Sequence, residues 1–222
     1  MCFSLPLTAT VVGPLLPLMP GGQVILKGAT INHLNAMTGF DPDRTQAIQA
    51  YGLGSLVDIS DSRIESFNYI AQLSDGATAR FHNTEMIAHM HGLTAKDIGT
   101  SILVTDSDIT FLGQSTGFNA RNGAQITARN TYIHGDVSYG SAVSWDSNYA
   151  VPNQTLASKG IYDQVTIETQ RNNNVGYGIW QIGRSQILMN DSHIITGNDS
   201  NLLIVFYVQI MPDDFVMQLH RF

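Results

Sequence analysis

The sequence predicts an all-β chain: a parallel β-helix, or solenoid, of about seven coils. Three observations carry this reading. A short unit recurs, ending at Ile31, Ile64, Met86, Ile109, Ile133, Ile167 and Ile194, in steps of 33, 22, 23, 24, 34 and 27 residues. Within the units apolar and polar residues alternate as in a strand, and the 3.6-residue period of a helix is absent. In six of the seven units the third residue before the end is Gly, Asn or Asp. These residues enter left-handed backbone at low cost and so turn corners.

The chain begins with an apolar, Pro-broken stretch over residues 1–20, expected to form an entry or cap segment. No Lys or Arg precedes Lys27, so the stretch lacks the basic start of a secretory signal. No segment reaches the roughly 20 apolar residues that a bilayer-spanning helix needs.

The repeats occupy residues 21–200. The copies are GGQVILKGATI (21–31), GSLVDISDSRI (54–64), GATARFHNTEM (76–86), GTSILVTDSDI (99–109), GAQITARNTYI (123–133), ASKGIYDQVTI (157–167) and RSQILMNDSHI (184–194). Counting back from the final residue, positions −7 (Val24, Val57, Ala79, Ile102, Ile126, Gly160, Ile187) and −5 (Leu26, Ile59, Phe81, Val104, Ala128, Tyr162, Met189) share one face of a strand. Position −3 is the corner, position −2 is small, and the final residue points back inside. A second apolar segment opens on Gly: Gly92-Leu93, Gly117-Phe118 and Gly178-Ile179. One such unit cannot bury its own face, whereas stacked copies align inward residues into ladders. With strands about 4.8 Å apart, seven coils make a rod on the order of 30 Å long. The longer steps imply excursions at 32–53 and 134–156, the second protruding from a corner. Residues 201–222 hold an apolar run, Leu202–Val208, suited to a terminal strand, and an irregular tail that matches nothing upstream.

Composition excludes several functions. Eleven Lys and Arg against 18 Asp and Glu give a net charge of −7, which argues against nucleic-acid partners. Charged residues are only 13% of the chain, about half the usual share. Ser, Thr and Asn fill the gap. The lone cysteine, Cys2, can form neither an intrachain disulfide nor a Cys-based zinc site.

The pattern G-x-x-h-x-h-x-[DN]-[ST]-x-I behind a Gly-led apolar segment, clearest at 117–133 and 178–194, resembles the passenger domain of Gram-negative autotransporters. The resemblance covers about residues 21–200. It implies a pertactin-like, right-handed, single-stranded parallel β-helix at the cell surface, on the outer membrane or secreted. It also implies an adhesive or self-associating role, with a host surface or another copy of the chain as partner. Such proteins end in a C-terminal outer-membrane barrel. The resemblance therefore implies that this chain is a fragment, a truncated gene product or a barrel-less relative, self-associating through residues 201–210.

The same scaffold can carry chemistry, because polysaccharide lyases and pectin hydrolases are also β-helical. Stacking brings Asp61, Asp106 and Asp191 to one position and Asp108 and His193 to another. With Asn83 and Asn130 in the same column, the first set reads as a structural corner ladder. The pectin-hydrolase signatures are absent, so no catalytic residue is assigned and a carbohydrate-active enzyme is the alternative reading. His82, His89 and His91 lack a clear third ligand and read as surface histidines. No metal or cofactor is expected. The candidate contact residues are Tyr139, Trp145 and Tyr149, since aromatic side chains dominate contact energetics.

Overall fold

The computed structural model describes residues 2–3, 8–10, 16–33, 46–113, 116–136, 139–143, 157–169, 177–181 and 185–196. These contain strands and no helix. The first turn holds β1 (Cys2–Phe3), β2 (Thr8–Thr10) and β3 (Leu16–Leu18), and the next holds β4 (Gln23–Lys27), β5 (Thr30–His33) and β6 (Gln46–Tyr51). Then come β7 (Leu56–Ser60), β8 (Arg63–Ser66) and β9 (Tyr69–Ser74), followed by β10 (Thr78–His82), β11 (Glu85–Ala88) and β12 (His91–Lys96). The next turn is β13 (Ser101–Thr105), β14 (Asp108–Phe111) and β15 (Thr116–Arg121). In β16 (Gln125–Gly135) and β18 (Lys159–Thr169) the first two sides of a turn run on as one bent strand; β17 (Tyr139–Val143) and β19 (Tyr177–Gln181) supply their third sides. The chain continues into β20 (Gln186–Asn190) and β21 (His193–Thr196).

Every ladder is parallel. One 14-stranded sheet forms the first two sides, bent along the corner, and a 7-stranded sheet, β19-β17-β15-β12-β9-β6-β3, forms the third. The solenoid has about five turns rather than seven. Five turns run from β4 to β17, and the last two copies continue their ladders in β18 and then in β20 and β21. At the other end, three strands within residues 1–20 pair with β4, β5 and β6.

The register follows the repeat residue by residue. Ile31, Ile64, Met86, Ile109, Ile133, Ile167 and Ile194 face one another in successive turns, and all are buried. The −7 and −5 columns pair in the same way. Volume is matched along the −5 column: Tyr162 is fully buried, with Ala128 below it and Gly160 two residues before it. A Cβ on Gly160 would stand 2.7 Å from the Tyr162 hydroxyl. That hydroxyl meets Ser141 Oγ, and burial pushes the phenol pKa far above its usual value.

The difference between the steps of 22 and 23 residues arises at the corner before β10 and β13, and the step of 24 lengthens instead between β14 and β15, leaving the strands undisturbed. Asp75-Gly76 and Asn122-Gly123 make the tight corner before β10 and β16, with left-handed backbone at both residues. Before β13 the corner is Asp97-Ile98-Gly99, one residue longer, and Ile98 is left exposed. The excursion expected at 32–53 is shorter than anticipated, because His33 closes β5 and Gln46 opens β6. The expected excursion at 134–156 likewise gives up its first part to β16 and β17. Residues 34–45, 144–156 and the proposed associating segment 201–210 lie outside the described residues.

Candidate functional site

Two surfaces combine side chains from several turns. The first is a shallow trough of about 720 Å³ along the bent corner of the large sheet. Its wall is the −3 column from Gly28 through Asp61, Asn83, Asp106 and Asn130 to Gln164, all with positive φ, and Asp191 continues the column beyond it. Asn83 Nδ2 donates to Asp61 Oδ1 (2.8 Å) and Asn130 Nδ2 to Asp106 Oδ1 (2.7 Å). The Asn83 amide, with help from Lys27, holds the Asp61 carboxyl below the usual range against the opposing effect of burial. Beneath the wall, the buried −2 hydroxyls work twice. Ser107 Oγ donates to the Thr105 carbonyl (2.8 Å) and accepts the Thr84 amide of the preceding turn (3.1 Å). Ser62 and Ser192 repeat both bonds. The −3 carboxylates therefore serve the corner, as the Asn/Asp column predicted.

Beyond the corner, Asp108 and His193 do not share a site. Asp108 Oδ1 meets His134 Nε2 (3.0 Å) from the next turn. The His134 ring stacks on Tyr132 (centroids 4.3 Å apart). The Tyr132 hydroxyl donates to Glu168, which raises the phenol pKa to about 12. Arg63 pairs with Glu85 and Glu65. The three histidines are dispersed: His82 Nδ1 lies 3.2 Å from Asp106 Oδ2, His89 Nε2 lies 3.1 Å from Glu65 Oε1, and His91 stacks on Tyr69. Among the described residues no group of three His, Cys, Asp or Glu can hold a metal.

The second surface is the outer face of the 7-stranded sheet. Tyr139 does not project from a loop; it opens β17, in register with Tyr177. The two rings stack nearly parallel at 5.6 Å, and Trp180 closes on Tyr139 at 5.3 Å. Tyr177 is 53% exposed. The other two expected contact residues, Trp145 and Tyr149, lie outside the described residues. Sequence reasoning missed Tyr177 and Trp180. Their signal was present, since Tyr177 immediately precedes the Gly that opens the third-side segment.

His91 on this face is held neutral. Burial, aided by the Arg121 charge, lowers its pKa from 6.5 to about 4. As pH falls below 6.5 the unfolded chain binds this proton and the folded chain does not. Stability is therefore lost progressively from pH 6.5 down to about 4, by at most about 3 kcal/mol. Melting temperatures should fall over that window, and the His91→Gln variant should show a shallower fall. Identical pH profiles would contradict the assignment.

Comparison of the chain with protein-family models, with curated proteins and with solved structures finds no match.

Proposed function

We propose that the chain is a non-enzymatic, autotransporter-type β-helical passenger, exposed at the cell surface or secreted, that adheres to a host surface or to another copy of itself. One observation supports this reading above others: the carboxylates along the trough are engaged in holding the coil. Asp61 and Asp106 accept ladder amides, Glu85 pairs with Arg63, and Asp108 meets His134. Acid–base chemistry on a glycan needs two carboxyl groups left to act on the substrate from opposite sides of the scissile bond. Adhesion needs only a rigid, regular surface carrying aromatic anchors, for which Tyr139, Tyr177 and Trp180 are the candidates.

The test has two parts. Pectin, alginate and related uronates, incubated with the chain and Ca²⁺, should show no turnover. Beads coated with the chain should attach to animal cells or to one another. Turnover that disappears in Asp106→Asn or Asp191→Asn would replace this reading with that of a carbohydrate-active enzyme. Beads that attach to neither cells nor each other would remove the adhesive role.

A further inference from the structure

The two sheets differ sharply in charge. Of the chain's 18 acidic residues, none lies in the strands of the 7-stranded sheet, β3, β6, β9, β12, β15, β17 and β19. The large sheet carries Asp58, Glu65, Glu85, Asp108, Asp163 and Glu168. On a protein of net charge −7, the strands of this sheet carry no carboxylate, and the nearest described ones, Asp75 and Asp97, stand at the corner beyond them. That face carries two cations in register on adjacent strands, Lys96 on β12 and Arg121 on β15. Neither forms an ion pair with a carboxylate among the described residues. Arg121 Nε donates to Asn119 Oδ1 (3.0 Å), two residues back along its own strand. The side chain is thereby laid along the sheet face, with one of its five N–H donors used. Its charge reaches His91, which supports this placement.

Rings stand on the strands to either side of β15, with Tyr139 and Tyr177 in the column of Thr116 and Trp180 in that of Asn119. Toward the start of the coil, His91 stacks on Tyr69 with centroids 4.3 Å apart. Toward its end stand Tyr139, Tyr177 and Trp180. Gln49 and Gln72 occupy the neighbouring outward column. Of the exposed aliphatic side chains, Leu53, Ile98 and Leu112 lie at corners and Ile25 and Leu188 on the large sheet, none of them within the strands of this face. A protein–protein contact is built around an apolar centre, whereas rings, amides, hydroxyls and a guanidinium suit a sugar chain. A pyranose presents a C–H face to an aromatic ring and hydroxyls to amides. A carboxylate or sulfate on it takes paired N–H bonds from Arg.

We propose that the outer face of the 7-stranded sheet binds a linear acidic glycan, with sugar rings stacked on Tyr177 and Trp180 and an acid group held by Arg121, with Lys96 beside it. This deepens the adhesive reading and rests on it. The intact chain is titrated calorimetrically with oligogalacturonate and with chondroitin sulfate oligosaccharide, the two arms separating carboxylate from sulfate. Fully methyl-esterified oligogalacturonate, an oligoglutamate peptide and oligo-dT are the comparison probes. At least one acidic glycan should bind, and the comparison probes should bind about tenfold more weakly or not at all. Arg121→Gln and Tyr177→Ala should each weaken glycan binding by about tenfold, with melting temperatures close to that of the parent. Arg80→Gln, on the large sheet, should leave binding unchanged.

The proposal is overturned if neither acidic glycan binds, if a comparison probe binds as tightly, or if both Arg121→Gln and Tyr177→Ala bind like the parent. Coated beads that adhere while neither acidic glycan binds would remove the glycan assignment alone. Failure of both assays would remove the adhesive role as well.

Discussion

Ile109→Asp or Ile133→Asp is expected to cost several kcal/mol each, enough to unfold the chain at ordinary temperatures. Both side chains are fully buried and face each other across adjacent turns, in a column that continues through Met86 and Ile167. An aspartate there has no cation within the column to pair with and no route to water. In a solenoid the damage should also spread, because each turn is stable only against its neighbours. The control lies one residue along the same strand. Thr110 points outward and is half-buried beside His134 and Asp108, so Thr110→Asp, although it brings a second carboxylate to the same imidazole, should cost far less. Thermal or urea unfolding of the three variants decides the matter. Equal losses for Thr110→Asp and Ile109→Asp would mean that the inward and outward faces have been interchanged.

That register was legible because two kinds of chemistry mark it at once. Burial demands apolar residues at −7, −5 and the unit's end, and the corner demands a residue tolerant of positive φ at −3. Each constrains the other, so even Gln164 at a corner did not shift the frame. The second corner was less legible. Its Gly76, Gly99 and Gly123 were visible as openings of the units, but the alternation of Asp-Gly with the longer Asp-Ile-Gly was not. Unequal corner lengths do not disturb the inward pattern. The strands within residues 1–20 were hidden because Pro and a lack of polar alternation obscure a strand whose partner is already fixed. The aromatic face was legible only in part. Tyr139 was singled out, but Tyr177 belongs to a different turn, and only pairing of β17 with β19 brings the rings together. The same holds for Asp108 with His134 and Tyr132 with Glu168, which meet across turns.

The glycines that open the third side were visible in the sequence without their reason, and they carry the second large expected effect. Gly117→Ala should destabilise the chain by about 3 kcal/mol, which for a protein of this size is a fall of roughly 10 °C in melting temperature. A Cβ at Gly117 would sit 2.3 Å from the Gly140 carbonyl oxygen of the next turn and 3.4 Å from Ile133 Cγ2. Backbone cannot swing aside as a flexible side chain can, so the turn itself must move, and with it the buried Phe118 next in sequence. The neighbouring turns share the constraint: a Cβ on Gly92 would meet the Gly117 carbonyl oxygen at 2.3 Å, and one on Gly178 would meet Ile194 Cγ2 at 2.1 Å. Gly28 provides the contrast. Its φ is +64°, but a Cβ there has nothing within 4 Å, so Gly28→Ala incurs only the local left-handed penalty of about 1 kcal/mol. Steric exclusion between turns thus predicts a loss about threefold larger at Gly117 than at Gly28. If backbone conformation alone dictated these glycines, the order would reverse, and paired melting curves of the two variants distinguish the two causes directly.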